Sequence, residues 1–196
     1  MLKHLKNNYF VIRHGESKAN VLEIILSHLK NGVKEKYTLT EKGEKQVADS
    51  VIKAKDSKLL NSDTVIYSSP FSRCKRTAEI VREILEVKGQ IYFDDRLKER
   101  RFGDFEKTYN SNYQKVWDDD INDPGHKNSN VESAKEVQHR TLSLIEDLEK
   151  KYTNRKILLV SHGDALQILQ TGFLNMSPAV HRGLKHLGTA EIRELK

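Results

Sequence analysis

Four short runs of apolar, β-favouring residues constrain the fold most. They are YFVI at 9–12, TVIY at 64–67, QIYF at 90–93 and KILLV at 156–160. Their apolar residues are consecutive rather than alternate, the pattern of strands covered on both faces. Helical patterns separate them. Residues 40–54 place apolar side chains at 47, 48, 51 and 52 behind Thr40, a residue type that caps helix N-termini. Residues 72–87 carry Ala78, Ile80, Val81, Ile84 and Leu85. Residues 134–151 repeat the spacing with Val137, Leu142, Leu144, Ile145 and Leu148, and a further helix is expected over 165–174. This alternation predicts an α/β fold, a three-layer α/β/α sandwich with a mostly parallel central sheet. The final AEIREL reads as an edge strand.

The length of 196 residues fits one domain over 1–196. Two segments fit no element, 21–37 and the long polar 103–130, and both are expected to serve as lid or specificity segments. Charged residues make up 32% of the chain and apolar residues 37%, which excludes a disordered class. No run is long enough to span a bilayer, and the basic N-terminus lacks the apolar stretch of a signal peptide. A single cysteine, Cys74, excludes an internal disulfide and suits a reducing, cytoplasmic setting. The net charge of +6 favours anionic ligands. Its lysines are dispersed, with no arginine-rich arm, so neither nucleic acid nor membrane is expected as a partner. Oligomeric state is not legible.

The first strand runs straight into Arg13, His14 and Gly15, and the strand at 156–160 ends in the same way, in Ser161, His162, Gly163 and Asp164. Ligands of open α/β sheets bind outside the carboxyl ends of the strands. If the two strands are neighbours, His14 and His162 converge there. A third block, YSSPFSRCKRTAEI at 67–80, reads as a strand end followed by a helix, with Ser69 as cap, Pro70 in the first helical position and Arg73 in the first turn. Arg73 shares a face with Thr77, Ile80 and Ile84 and therefore points inward, where a cation against the helix dipole needs an anion. A structural carboxylate or a bound phosphate would each satisfy it. Cys74 beside it is expected to pack, and Asp164 to cap the helix after Gly163. The remaining histidines form no metal-ligand motif, so no metal and no cofactor are expected.

RHGES at 13–17 with Asn20, LTEKGEKQ at 39–46, SSPFSRCKRTAE at 68–79, ERRFGDFE at 99–106 and VSHGD at 160–164 resemble the histidine phosphatase superfamily, and its phosphoglycerate-mutase-like branch in particular. The resemblance implies phosphoryl transfer through a phosphohistidine. His14 would be the nucleophile, Arg13 and Arg73 the phosphate-binding arginines, His162 the second histidine and Glu99 the general acid or base. Asn20 would contact phosphate, and Gly15 and Gly163 would permit close backbone approach. Arg100 is assigned to substrate, since turned toward Glu99 it would oppose the raised pKa a catalytic acid needs. The sequence departs from the acid phosphatase and phytase branch, because RHGESKA and His162-Gly163-Asp164 stand where that branch has RHGxRxP and His-Asp.

Three functions are compatible with these residues. The first is hydrolysis of a small phosphorylated metabolite, the second a cofactor-dependent phosphoglycerate mutase, the third a phosphate-binding protein without catalysis. The short chain and the absence of a glycine-rich continuation after ERRFGDFE favour hydrolysis. Lys18, Lys34 and Lys36 are expected near the mouth of the site, where they would favour polyanionic substrates.

Overall fold

The computed structural model describes residues 5–196; residues 1–4, which include His4 and the basic start of the chain, lie outside it. Five strands form one sheet: β1 (Asn8–Arg13), β2 (Val65–Ser68), β3 (Ile91–Phe93), β4 (Lys156–Ser161) and β5 (Ile192–Leu195), in the order β3-β2-β4-β1-β5. All neighbours pair parallel except β5, which runs antiparallel along β1 at the edge. The sheet is therefore mostly parallel, and AEIREL supplies its edge strand.

Side-chain alternation along β1 splits the core into two layers. Phe10 and Ile12 pack with Val47, Val51, Ala78 and Val81, from α3 (Glu41–Asp56) and α4 (Ser72–Leu85). Tyr9 and Val11 pack with Leu144, Ile145, Leu166 and Leu169, from α6 (Ala134–Lys151) and α7 (Gly163–Phe173). Helices thus cover both faces, as predicted. The Thr40 side chain caps α3 by accepting from Gly43 N. Ser133 and Glu136 close a reciprocal capping box on α6.

Two helix starts differ from the sequence reading. Phe71, not Ser69, stands at the N-cap of α4, so Pro70 precedes the helix. His162, not Asp164, stands at the N-cap of α7. Ser69 and Asp164 are both withdrawn from capping by stronger partners, described below.

The two unassigned segments fold onto each other. Residues 18–37 form α1 (Lys18–Val21), α2 (Leu29–Gly32) and a 3-10 turn at Glu35–Tyr37. The 103–130 segment is mostly turns, but it contains a ten-residue helix, α5 (Tyr113–Asn122). Backbone bonds join the two: Ile25 N to Thr108 O, Lys107 N to Ile25 O, and Asn110 N to Glu23 O. Glu106 fastens them further, accepting from Ser27 N, Ser27 Oγ, His28 N and Asn31 Nδ2. A small apolar cluster of Ile25, Phe102, Val116 and Val131 fills the space between. No helix among the described residues is long and apolar enough to cross a membrane.

Candidate active site

β1 and β4 are adjacent and in register, Arg13 opposite Ser161, so His14 and His162 leave the sheet side by side. Their ring centroids are 5.3 Å apart. The turn at Gly15 is laid directly on the first turn of α3. A Cβ on Gly15 would meet Gly43 O at 2.3 Å, and one on Gly43 would meet Glu16 O at 2.0 Å. Both positions need glycine for close backbone approach.

Hydrogen bonds define the tautomer of each ring. His14 Nδ1 lies 2.8 Å from Gly15 O, which only accepts, so Nδ1 carries the proton and Nε2 presents its lone pair. Arg73 Nε donates to that lone pair at 3.0 Å. Arg73 Nη2 donates to His162 Nδ1, also at 3.0 Å, so His162 carries its proton on Nε2, which donates to Ser69 Oγ at 2.9 Å. Burial, and then the Arg73 and Arg13 charges, hold His14 well below the ordinary imidazole range. Burial, Arg73 and His14 do the same to His162. Both rings are neutral at neutral pH.

Arg73 Nη2 also donates to Leu26 O. Arg13 Nη1 meets His186 Nε2 at 2.8 Å and donates to Leu187 O at 2.9 Å. Each arginine keeps one buried nitrogen without a hydrogen-bond partner among the described residues, Arg13 Nε and Arg73 Nη1. Buried donors are ordinarily paired, so two orphaned N–H groups on cations call for an anion. Both arginines line a cavity of about 290 Å³ with His14, Asn20, Glu99, Asn110, Tyr113 and Trp117. A wider groove of about 970 Å³ also borders Glu99. Its Arg96 and Arg140 are already paired, to Asp94 and Asp147 and to Glu132.

Glu99 Oε1 accepts from Arg100 N at 2.9 Å and Ala165 N at 3.1 Å, which leaves Oε2 for the proton. Burial and the nearby Asp164 raise its pKa against the pull of Arg73 and of the two backbone donors. Asn20 Oδ1 accepts from Ser17 N and Ser17 Oγ, so its amide NH2 remains available at the cavity wall.

Two assignments are corrected. Arg100 does not reach substrate. It is fully buried, with both Nη atoms on Asp120 (2.6 and 2.8 Å), Nη1 also 3.4 Å from Asp164, and Nε on Glu132 O. Those carboxylates draw its guanidinium away from Glu99. Gly163 does not line the cavity either; a Cβ there would sit 3.4 Å from the Arg13 guanidinium, so its smallness serves Arg13. Lys18, Lys34 and Lys36, expected near the mouth, are not among the residues that line the cavity. Arg101 is exposed.

Other contributors were not foreseen. Ser69 fixes His162 rather than capping a helix. Asp164 accepts from Trp117 Nε1 at 3.0 Å and bonds His181 Nε2 at 3.2 Å. Burial pushes its carboxyl up, but His181, Arg100 and Arg182 outweigh burial and hold it well below the carboxylate range. Cys74 Sγ packs 3.4 Å from His162 Nε2, and burial pushes its thiol up to about 12, which fits the packing role expected of it. Tyr113, Trp117 and Asp120 share one face of α5 at i, i+4 and i+7, a spacing readable in the sequence. No group of three or more His, Cys, Asp or Glu among the described residues is arranged to hold a metal.

The strand ends thus place two neutral histidines against two arginines, each arginine with a donor unpaired among the described residues. Residues 9–196 match the histidine phosphatase superfamily (branch 1), and the chain belongs to that family. The chain is 32% identical over 161 residues to the uncharacterized phosphatase PhoE of Bacillus subtilis, covering 82% of this chain and 74% of that one. It is 29% identical over 182 residues to the Escherichia coli protein named probable phosphoglycerate mutase GpmB, covering 90% and 79%. The fold superposes on a phosphoserine phosphatase of Entamoeba histolytica in complex with phosphoserine. The TM-score is 0.77 and the identity 25%, with 96% of this chain and 89% of the other covered. A mycobacterial glucosyl-3-phosphoglycerate phosphatase, 20% identical with a TM-score of 0.77 over 95% and 88% of the two chains, shares the fold.

Proposed function

We propose that the protein is a phosphomonoesterase that hydrolyses a small phosphorylated metabolite through a phosphohistidine on His14. The observation that carries this reading is that the two arginines with orphaned guanidinium donors, at Arg13 Nε and Arg73 Nη1, line one cavity with His14, whose Nε2 lone pair faces Arg73.

In the first step Arg73 shifts its Nε from His14 Nε2 to the phosphoryl oxygens. The freed lone pair attacks phosphorus in line. The ester P–O bond breaks, and the leaving oxygen takes the proton from Glu99 Oε2. Arg13 and Arg73 neutralise the equatorial oxygens and the Asn20 amide completes the cradle. His162, with Nδ1 on Arg73 and Nε2 on Ser69 and no place in the cavity lining, positions Arg73 rather than meeting the phosphate as the sequence reading expected. Water then enters, Glu99 as carboxylate takes its proton, the P–N bond breaks, and His14 returns neutral with phosphate released. The segments 21–37 and 103–130 form the roof and select the leaving group. Arg13 and Arg73 are the cations of the cavity lining, so a single phosphate is the charge the pocket matches.

Product fate tests this reading against a mutase. With 3-phosphoglycerate as substrate, free phosphate and glycerate are expected. A 2-phosphoglycerate product formed faster than free phosphate would overturn the hydrolase assignment.

The raised pKa of Glu99 sets a pH dependence. Glu99 must hold its proton when the leaving group departs, so kcat/KM for an alkyl phosphate falls as pH rises through that pKa, above the ordinary carboxyl range. His14, held well below the usual imidazole range by burial and the two arginines, adds no limb of its own at neutral pH. A pH profile of wild type beside Glu99→Gln checks this; the alkaline limb should be missing from the variant.

A further inference from the structure

We propose that Tyr113 is a catalytic residue whose hydroxyl hydrogen-bonds the leaving oxygen of the substrate beside Glu99. This rests on the hydrolase reading above and adds a residue to it.

Tyr113 opens α5 and lines the cavity with His14, Arg13, Arg73 and Glu99. Its ring is fixed on two sides. Phe102 meets it edge-on at 4.6 Å and 74°, and Trp117 stacks on it at 5.4 Å and 8°. The hydroxyl itself is bonded to no group among the described residues. The charges around it are those of the site: Glu99 first, then Arg73, Asp164 and Arg13. A half-buried ring that is packed on two sides, lines the cavity and leaves its one polar atom unbonded is arranged to meet a ligand.

In-line geometry says which part of the ligand. His14 Nε2 lies at the strand ends, on the floor of the cavity. The leaving oxygen must lie opposite the attacking nitrogen, and so toward the roof that α5 forms. Glu99 supplies the proton to that oxygen. Tyr113 keeps its own, because burial and the Glu99 charge raise its pKa, and it serves as a donor that steadies developing negative charge. The roof holds Tyr113 to this place through α5. Asp120 of the same helix is tied to Arg100, and Trp117 Nε1 to Asp164.

The test is Tyr113→Phe, assayed as kcat/KM on phosphate esters of graded leaving-group basicity. Phe keeps the contacts with Phe102 and Trp117, and the lost hydroxyl has no protein partner, so folding is unaffected; an unchanged melting temperature verifies this. The expected loss is about tenfold for an alkyl phosphate, where charge builds up on the oxygen, and under about twofold for 4-nitrophenyl phosphate, which departs unaided. Inhibition by inorganic phosphate, which has no leaving group, should be unchanged. Equal losses across the series, or none, would overturn the assignment of Tyr113. Wild-type protein that releases no phosphate from any ester would instead overturn the hydrolase reading on which it rests.

Discussion

Replacing His14 by alanine is expected to abolish turnover, with kcat lower by about a thousandfold or more. No other group can take over the covalent step. His162 Nδ1 is occupied by Arg73, its Nε2–H is committed to Ser69, and the Cys74 thiol is held protonated by burial. The check is phosphate release by wild type and variant, together with trapping of phosphoenzyme after an acid-sparing quench. Wild type should carry a base-stable, acid-labile phosphoryl group and His14→Ala none. Turnover surviving in the variant would reduce His14 to a turn residue at the end of β1. A melting curve separates chemistry from folding, since the substitution also leaves Arg73 Nε without its acceptor.

Arg100→Ala should act on stability more than on substrate affinity. It leaves Asp120, fully buried, without its guanidinium partner and takes from Asp164 one of the cations that hold it, which costs about 3–5 kcal/mol in comparable buried pairs. For a domain of this size that is a fall in Tm on the order of 10 °C. The deficit should depend on pH with a definite sign. Asp164 sits below its ordinary pKa in the folded chain, so it contributes stability above the unfolded carboxyl value of about 4 and loses it on acidification. The variant forfeits part of that contribution. Its deficit is therefore widest at neutral pH and narrows as pH falls. Thermal melts of both proteins across pH are the measurement. An unchanged Tm with a raised KM would return Arg100 to the substrate.

These two substitutions also mark what the sequence made legible. The floor of the cavity was readable because strand tips and helix starts are local features. Tyr9 to Arg13 announce a buried strand, and Arg73 in a first helical turn announces an anion. Neighbouring placement of the first and fourth strands stood only as a condition, suggested by the repeated His-Gly ending and met in the sheet. The roof was not readable, because it is held by polar pairs distant in sequence. Glu106 reaches Ser27 and Asn31, and Arg100 reaches Asp120 and Asp164. Neither pattern has a period. Arg100 was misplaced for the same reason: next to Glu99 in sequence, it faces the other way, toward carboxylates that only folding brings near. Ser69 and Asp164 carried correct signals for helix ends, but His162, Trp117 and His181 compete for the same oxygens and win.

The roof's construction bears on how such a protein diversifies. Its two segments are fastened chiefly to each other, by the Ile25–Thr108 ladder and the Glu106 carboxylate, whereas the floor draws on strands β1 and β4 and helix α4. Reaction and recognition are therefore separately editable. Changes at Ile24 or Asn110, which line the cavity without contacting its histidines or arginines through hydrogen bonds, can re-tune what the pocket admits while those side chains stay in register. A lineage built this way explores new metabolites by rewriting a cover plate, leaving its engine untouched.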